Sequence, residues 1–311
     1  MSENPSTWGE LAGLTLTKGH GTGNDFIFLT DENAEIALTP ELVARVCDRH
    51  FGIGADGFIR AARSTASRAG QKLLEEHPDA VWFMDYRNGD GSIAEMCGNG
   101  VRAFVEYLRA EGLSELEVGE TVKIGTRAGV KTVARTEEGY AIDMGPWSFI
   151  HGEAAREGGE DCLVSARGLK TPRAGLSISM GNPHTVVMLG SDGKLDGLDL
   201  HSLPQVNPAP VNGTNVEFVV PVDLDVESGA QVGAIRMRVH ERGVGETLSC
   251  GTGACAAAAA TRFWGGEEAP DEWLVHVPGG TLAVTFVLGP DDLEHVVLAG
   301  PAQMVATVVL R

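Results

Sequence analysis

Short runs rich in Val, Ile, Phe and Thr, bounded by Gly, Asp, Asn or Pro, recur along the chain and predict strands. Examples are Phe26–Leu29, Ala80–Asp85, Thr185–Leu189, Val216–Val220, Ala234–His240, Thr281–Leu288 and Glu294–Leu298. The tail Met304–Leu310 alternates as a strand does and is expected to return to the first half of the chain. Helical spacing is rarer. Thr39-Pro40 reads as N-cap and first helical residue of a segment running to about His50. Behind Gly98, the residues Val101, Phe104, Val105 and Leu108 recur at i, i+3, i+4, i+7 and predict a second helix. A third, from Gly251 through Ala254 to Phe263, is apolar almost all round, as a helix enclosed by other elements would be.

Superimposed on this pattern is an internal duplication. Met96-Cys97-Gly98-Asn99-Gly100 opens the second helix, and Ser249-Cys250-Gly251-Thr252-Gly253 opens the third. Upstream of each lies a Gly-Asn pair, Gly23-Asn24 and Gly181-Asn182. Cys97 and Cys250 are 153 residues apart and Asn24 and Asn182 are 158 apart, so two motifs recur in one order at nearly one offset. We therefore expect two similar α+β halves, each a mostly antiparallel sheet wrapped around a helix that begins Cys-Gly-x-Gly. The expected division is 1–144, joined by the returning strand 301–311, and 145–300. The stretches before Leu14 and at Arg63–His77 read as surface additions.

Composition narrows the function. Of 311 residues, 24 are Lys or Arg and 43 Asp or Glu, a formal charge of −19 without a basic run. Nucleic acid and anionic membranes need clustered cations, so neither is an expected partner. The segment Met1–Gly13 lacks the basic-then-apolar order of a signal peptide, and no apolar run is long enough to span a bilayer. Five cysteines, Cys47, Cys97, Cys162, Cys250 and Cys255, read as free thiols of a reducing cytoplasm. None forms a CxxC pair and the histidines lack ligand spacing, so no metal site is expected.

Cys97 and Cys250 each stand just before a first helical turn, where free N–H groups and the helix dipole stabilise a thiolate. The glycines that follow let a carboxylate approach the same N–H groups. Two such motifs on matching halves could work on one substrate carbon from opposite faces, one sulfur taking a proton and the other giving one. Inverting an α-carbon requires that arrangement, with one thiol and one thiolate titrating as a coupled pair. Hydrogen-bond donors at both helix ends would stabilise charge moving onto the carboxylate. A lone buried cysteine is usually a small core residue; the duplication at helix starts sets these two apart. Cys47, Cys162 and Cys255 lack that setting and read as structural.

The strings Glu95-Met-Cys-Gly-Asn-Gly-Val-Arg102 and Glu241-Arg-Gly-Val-Gly-Glu-Thr-Leu-Ser-Cys-Gly-Thr-Gly-Ala254 resemble the diaminopimelate epimerase family. So do Lys18-Gly-His-Gly-Thr-Gly-Asn-Asp-Phe26, Gly52-Ile-Gly-Ala-Asp56, Arg87-Asn-Gly-Asp-Gly-Ser92, Ser179-Met-Gly-Asn-Pro-His184 and Asn215-Val-Glu-Phe218. They follow the family's order from about Leu14 to the C-terminus. The resemblance implies interconversion of LL- and meso-2,6-diaminopimelate, on the route to lysine and peptidoglycan, with neither pyridoxal phosphate nor metal, by a cytoplasmic homodimer. It implies that Cys97 and Cys250 are the acid and base, that Asn24 lies near the reacting amino group, and that the backbone at Gly98-Asn99 and Gly251-Thr252 holds the reacting carboxylate. Asn88, Asn182, Asn215 and Arg242 would grip the distal L-centre, and His184 and Glu241 would sit beside the cysteines and assist their proton chemistry or orient substrate. Asn offers both donor and acceptor, and Arg can clamp a carboxylate, which suits a zwitterion. Asn-Gly pairs also serve turns, a histidine can be a satisfied core residue, and a Glu-Arg pair can be ordinary surface. The chain departs from the family at Gly57, where many members carry Gln.

Rival readings are a two-cysteine racemase of proline or hydroxyproline, a pyridoxal-phosphate racemase, a non-catalytic amino-acid-binding protein and a redox sensor. The distal grip argues against the first. Lys18, Lys72, Lys123, Lys131, Lys170 and Lys194 offer no Schiff-base context for the second. Loss of either cysteine separates the third, since simple binding would survive it. A Cys97–Cys250 disulfide formed in air, inactivating reversibly, would mark the fourth.

Overall fold

The structure is a computed structural model and describes residues 8–223 and 231–311. The chain divides into two compact units, Met1–Ile142 with Gly300–Arg311, and Asp143–Ala299. The first seven residues, included in the signal-peptide reading, lie outside the described residues.

In the first unit the strands are β1 (Thr15–Gly21), β2 (Asn24–Thr30), β3 (Gly57–Arg63), β4 (Trp82–Asn88), β5 (Thr121–Thr126), β6 (Gly129–Thr136) and β7 (Gly139–Pro146). The helices are α1 (Pro40–Cys47), α2 (Arg68–Leu74) and α3 (Gly98–Ala110). β1 and β2 form a two-residue hairpin whose central residues, Thr22 and Gly23, both have positive φ, as the right-handed twist of the strands favours. β2 then pairs parallel with β3, β3 antiparallel with β4, β4 parallel with β5, and β5, β6 and β7 antiparallel in turn. The sheet curls about α3, which touches β1, β2, β3, β4 and β6. Val101, Phe104, Val105 and Leu108 are buried there. A second apolar layer, including Val43 and Val46 of α1 with Leu16, Ile27 and Phe58, covers the other side. A sheet covered on both faces explains why β2 reads as a continuous apolar run.

The second unit repeats this order. It holds β8 (Ser148–Phe149), α4 (Gly152–Gly158), β9 (Cys162–Ser165), β10 (Arg173–Ser179), β11 (Pro183–Met188), α5 (Asp192–Asp196) and β12 (Gln205–Asn207). There follow β13 (Asn215–Pro221), β14 (Val232–Glu241), β15 (Gly245–Thr247), α6 (Gly251–Gly265), β16 (Glu272–Val277), β17 (Gly280–Leu288) and β18 (Glu294–Gly300). The sequence of pairings from β10 is antiparallel to β11, parallel to β13, antiparallel to β14, parallel to β16, then antiparallel through β17 to β18. β8 adds antiparallel to β10 as the last strand, β19 (Gln303–Val309), adds to β1. α6 is enclosed by β10, β11, β13, β14, β16 and β17, and its residues Ala254–Thr261 are all buried. The fold is α+β, in two pseudo-symmetric halves.

Register makes the equivalence residue-specific. Phe26 pairs with Gly57 as His184 pairs with Asn215, both displaced by 158. Phe58 pairs with Arg87 as Val216 pairs with His240, so beyond the third strand of each repeat the displacement becomes 153. Asn24 therefore corresponds to Asn182, Phe26 to His184, Gly57 to Asn215, Ile59 to Glu217, Asn88 to Glu241 and Asn99 to Thr252.

Three expectations need correction. α1 stops at Cys47 rather than near His50, because Asp48 turns extended (ψ 128°) and its carboxylate accepts from the N–H groups of His50 and Phe51. Thr39 caps the helix as expected, accepting from Leu42 N–H at 3.2 Å. The segment before Leu14 is no mere surface addition, since Leu11 is fully buried. Within Arg63–His77, Ser64 is buried and donates to Ala80 O. Gly70 is packed so closely on the Ser64 backbone that a Cβ would lie 2.5 Å from its carbonyl oxygen.

Candidate active site

Cys97 is the N-cap residue of α3 and Cys250 that of α6, each in extended conformation, and the first helical N–H groups follow at Gly98-Asn99 and Gly251-Thr252. A helix cannot pair those donors internally, so each cysteine stands beside a ready anion site. Glycine also occupies the third helical residue of each helix, where a side chain would crowd the cysteine. A Cβ on Gly100 would lie 3.3 Å from Cys97 Cβ, and one on Gly253 would lie 3.2 Å from Cys250 Cβ. All five cysteines are free thiols.

Around Cys97 the polar partner is Asn24. Its Oδ1 accepts from Cys97 Sγ at 3.5 Å and from Asn99 Nδ2 at 3.5 Å, while its own Nδ2 donates to Asp56 Oδ2 at 2.7 Å. Asp56 and Asp25 are clamped by Arg49 at 2.7 and 2.9 Å, and Lys18 reaches Asp25 at 3.0 Å. Burial opposes ionisation of Asp25, but Arg49 and Lys18 overcome it and hold its carboxyl at about 2. Asn99 is oriented from behind by the fully buried Arg102, whose Nη2 donates to its Oδ1 at 2.8 Å and to Thr22 Oγ1 at 3.1 Å. The floor is apolar: the position of a Cβ on Gly100 lies 3.4 Å from Phe26 and 3.5 Å from Ile59.

The floor under Cys250 is ionisable. His184 and Glu217, the counterparts of Phe26 and Ile59, are both fully buried and joined by Nδ1···Oε1 at 2.7 Å. His184 Nε2 meets Asn182 Oδ1 at 3.1 Å, Asn182 Nδ2 meets Thr252 Oγ1 at 3.4 Å, and Thr252 Oγ1 meets Cys250 Sγ at 3.6 Å. Burial, then the Glu241 and Glu217 carboxylates, push the Cys250 thiol well above its ordinary range, against the Thr252 hydroxyl and the Gly253 N–H. A helix start alone would lower it. In this protein desolvation and two carboxylates outweigh the helix end and favour the protonated thiol at Cys250.

The remaining candidates fall into smaller groups. Asn215 Oδ1 accepts from Arg242 N–H at 2.9 Å and its Nδ2 donates to Pro183 O at 3.2 Å. The Arg242 guanidinium is exposed, donates to Asn212 O, and borders a cavity of about 550 Å³ with Leu203, Pro204 and Pro210. Glu241 accepts from the Thr247 hydroxyl. Asn88 closes the turn before α3, donating to Ser92 Oγ at 3.0 Å. Gly57 has no room for a side chain, because a Cβ would lie 2.6 Å from the Tyr86 ring and 2.8 Å from Arg87 O. Tyr86 thus fills the space over the position where many family members carry Gln.

Sequence reasoning passed over Glu217 and Asp56. A signal for the first was present: one acidic residue in the middle of the apolar run Val216–Val220. An ionisable group there is buried on either face and must have a partner. Asp56 had no comparable signal, since its role depends on β2 and β3 lying side by side.

Comparison with known proteins identifies the family. The family profile described as Diaminopimelate epimerase matches residues 16–150 and 176–305. A curated diaminopimelate epimerase of Mycobacterium tuberculosis (strain ATCC 25618 / H37Rv) is 42% identical over 295 residues, covering 90% of this chain and 95% of that protein. One from Rhodococcus erythropolis is 41% identical over 304 residues, 95% of this chain and 96% of the relative. Among solved structures, a Bacillus anthracis phenazine biosynthesis protein of the PhzF family aligns with a TM-score of 0.63 at 17% identity, over 95% of this chain and 98% of that one, a likeness of fold. The chain belongs to the diaminopimelate epimerase family.

Proposed function

We propose that this isomerase interconverts LL- and meso-2,6-diaminopimelate with Cys97 and Cys250 as the two bases. The observation that carries the reading is the duplicated cysteine N-cap, each sulfur set among asparagine and threonine partners at the start of a buried helix. One thiolate takes the α-proton, breaking C–H and forming S–H. The other thiol gives its proton to the opposite face of the carbon, and the roles exchange for the reverse reaction.

The first-turn N–H groups at Gly98-Asn99 and Gly251-Thr252 would hold the reacting carboxylate and stabilise charge moving onto it. Asn24, whose amide oxygen already accepts from Cys97, would lie near the reacting amino group. Asn88, Asn182, Asn215 and Arg242 would bind the distal L-centre. A substrate lacking that centre would leave polar groups unpaired, which is how such a site rejects shorter amino acids. His184 and Glu241 would govern the proton at Cys250. The working form would be a cytoplasmic homodimer. No described helix is long and apolar enough to cross a membrane.

The test is proton NMR of reduced protein in D2O with LL-diaminopimelate and no added cofactor, beside Cys97→Ala and Cys250→Ala. Loss of the α-proton signal with formation of the meso isomer in wild type, absent from both variants, supports the reading. No exchange in wild type refutes the substrate. Sedimentation velocity tests the dimer.

A further inference from the structure

The hydrogen-bond chain beneath Cys250 ends on a residue with no assigned part in the reaction. Glu217 is fully buried; Oε1 lies 2.7 Å from His184 Nδ1, and Oε2 is buried without a hydrogen-bond partner. A carboxylate only accepts, so Nδ1 of His184 carries a proton. The other ring nitrogen then has two states, set by how the Asn182 amide is turned. In one, Nε2–H donates to Asn182 Oδ1, Asn182 Nδ2 donates to Thr252 Oγ1, and the Thr252 hydroxyl donates to the sulfur, so an imidazolium accompanies a thiolate. In the other the amide is reversed. It donates to a bare Nε2 and accepts from Thr252, whose oxygen accepts from S–H, so a neutral imidazole accompanies a thiol. The two states hold the same number of protons and differ by one proton moved between sulfur and imidazole.

We propose that Glu217 is a positioning residue for the reaction: by fixing the proton on His184 Nδ1 it couples the protonation of His184 to that of Cys250 through Asn182 and Thr252. The proposal rests on Cys250 being one of the two bases. The corresponding residues of the first half, Phe26 and Ile59, cannot form such a link, so only one thiol is governed this way. The carboxylate–imidazole arrangement has the logic of an orienting group behind a catalytic histidine, applied here to a thiol four hydrogen bonds away. Of the other ionisable groups on strands packed against α6, Arg236 pairs with Asp192 and Asp196, Arg238 pairs with Glu246, Arg173 opens β10 and Glu272 opens β16. Glu241 acts on Cys250 by charge, His240 is turned to Leu200 O, and His276 to the Thr281 hydroxyl.

The experiment uses the full chain without substrate, labelled with 13C at cysteine Cβ and histidine Cε1, titrated by NMR. In wild type, Cys250 and His184 share an inflection. Glu217→Gln, which is nearly isosteric, and Thr252→Val, which cuts the last link, each remove that shared inflection from Cys250 and leave Cys97 unchanged. With LL-diaminopimelate, Glu217→Gln lowers kcat by at least about tenfold while KM stays within about twofold. A Cys250 signal that titrates alike in wild type and both variants overturns the proposal, as does a wild-type kcat in Glu217→Gln. Failure of wild type to turn over LL-diaminopimelate would overturn the substrate reading, and the titration would still decide the coupling.

Discussion

Gly100 and Gly253 occupy the same position in the two repeats, and alanine at each meets a different floor. At Gly100 the added methyl would lie 3.3 Å from Cys97 Cβ and 3.4 and 3.5 Å from the tips of Phe26 and Ile59, contacts that small adjustments relieve. At Gly253 it would lie 2.7 Å from Glu217 Oε1 and 3.3 Å from Cys250 Sγ. An ordinary C···O contact begins near about 3.3 Å, so Oε1 must withdraw by roughly 0.6 Å. A free glutamate would swing aside at little cost. This one is fully buried and bonded to His184 at 2.7 Å, so withdrawal breaks that bond. Weakening a buried, charge-assisted hydrogen bond costs about 1–3 kcal/mol. Ala is favoured over Gly in a helix by up to about 1 kcal/mol, which offsets part of the loss in stability but none of the loss in geometry. That helix gain is common to both variants, so we expect Gly253→Ala to be about 1–3 kcal/mol less stable than Gly100→Ala in urea and to exchange the substrate α-proton roughly 10- to 100-fold more slowly in D2O. Equal rates for the two variants, or a slower Gly100→Ala, would refute the reasoning that the ionisable floor serves Cys250 alone.

Gly57→Gln should destabilise the protein by about 1–3 kcal/mol in urea unfolding, because its Cβ meets the Tyr86 ring at 2.6 Å and Arg87 O at 2.8 Å; an unchanged midpoint would show that Tyr86 moves freely. The Asp25 carboxyl, lowered from 3.8 to about 2, contributes stability that is fully present above pH 3.8 and is lost as pH falls through about 2. Its partner Arg49 is 55% exposed, so Asp25→Asn should cost only roughly 1 kcal/mol at pH 6, and the difference from wild type should shrink towards pH 2. Burial, then Asp25, pushes the Cys47 thiol up to about 12, and burial, then Asp161, does the same for Cys162. Both should escape iodoacetamide at pH 8 in the folded protein and react in urea, as peptide mass spectrometry would read. Thr39→Ala removes the bond to Leu42 N–H and should cost about 1 kcal/mol in the urea midpoint.

Much of the fold was legible because its signals are local. The period of α3, the all-apolar face of α6, the Thr39-Pro40 cap and the duplicated Cys-Gly-x-Gly are each contained in a dozen residues or fewer. Strands β1, β3 and β5 to β7 carry weaker signals because glycines, charged residues and threonines interrupt their apolar runs; their partners, not their composition, fix them. Lys18 and Arg60 illustrate this, lying inside strands because Asp25 and Asp85 are brought within 3.0 and 2.5 Å of them. The environment of the site was least legible. That His184 meets a carboxylate depends on β11 and β13 being parallel neighbours 31 residues apart in register. The expectation of a lowered thiol at both helix starts failed at Cys250 because burial, and then Glu241 and Glu217 brought in from two other strands, raise it.

The correspondence between halves also gives a physical reason for their divergence. Two copies with identical surroundings would offer two thiols of equal proton affinity, and nothing in the protein would decide which begins as base. Here the duplicated elements that make the backbone sites, the N-cap cysteine and the glycines after it, are retained in both copies. The side chains at equivalent strand positions have separated instead: Phe26 against His184, Gly57 against Asn215, Ile59 against Glu217 and Asn88 against Glu241. In every one of those pairs the second half holds the hydrogen-bonding or ionisable member, or the more acidic one. Anion binding needs only backbone N–H groups, so it tolerates the loss of polar side chains from the first copy. Control of a proton does not: His184, Glu217 and Glu241 surround Cys250, whereas the carboxylates behind Asn24, Asp56 and Asp25, are tied to Arg49 and Lys18.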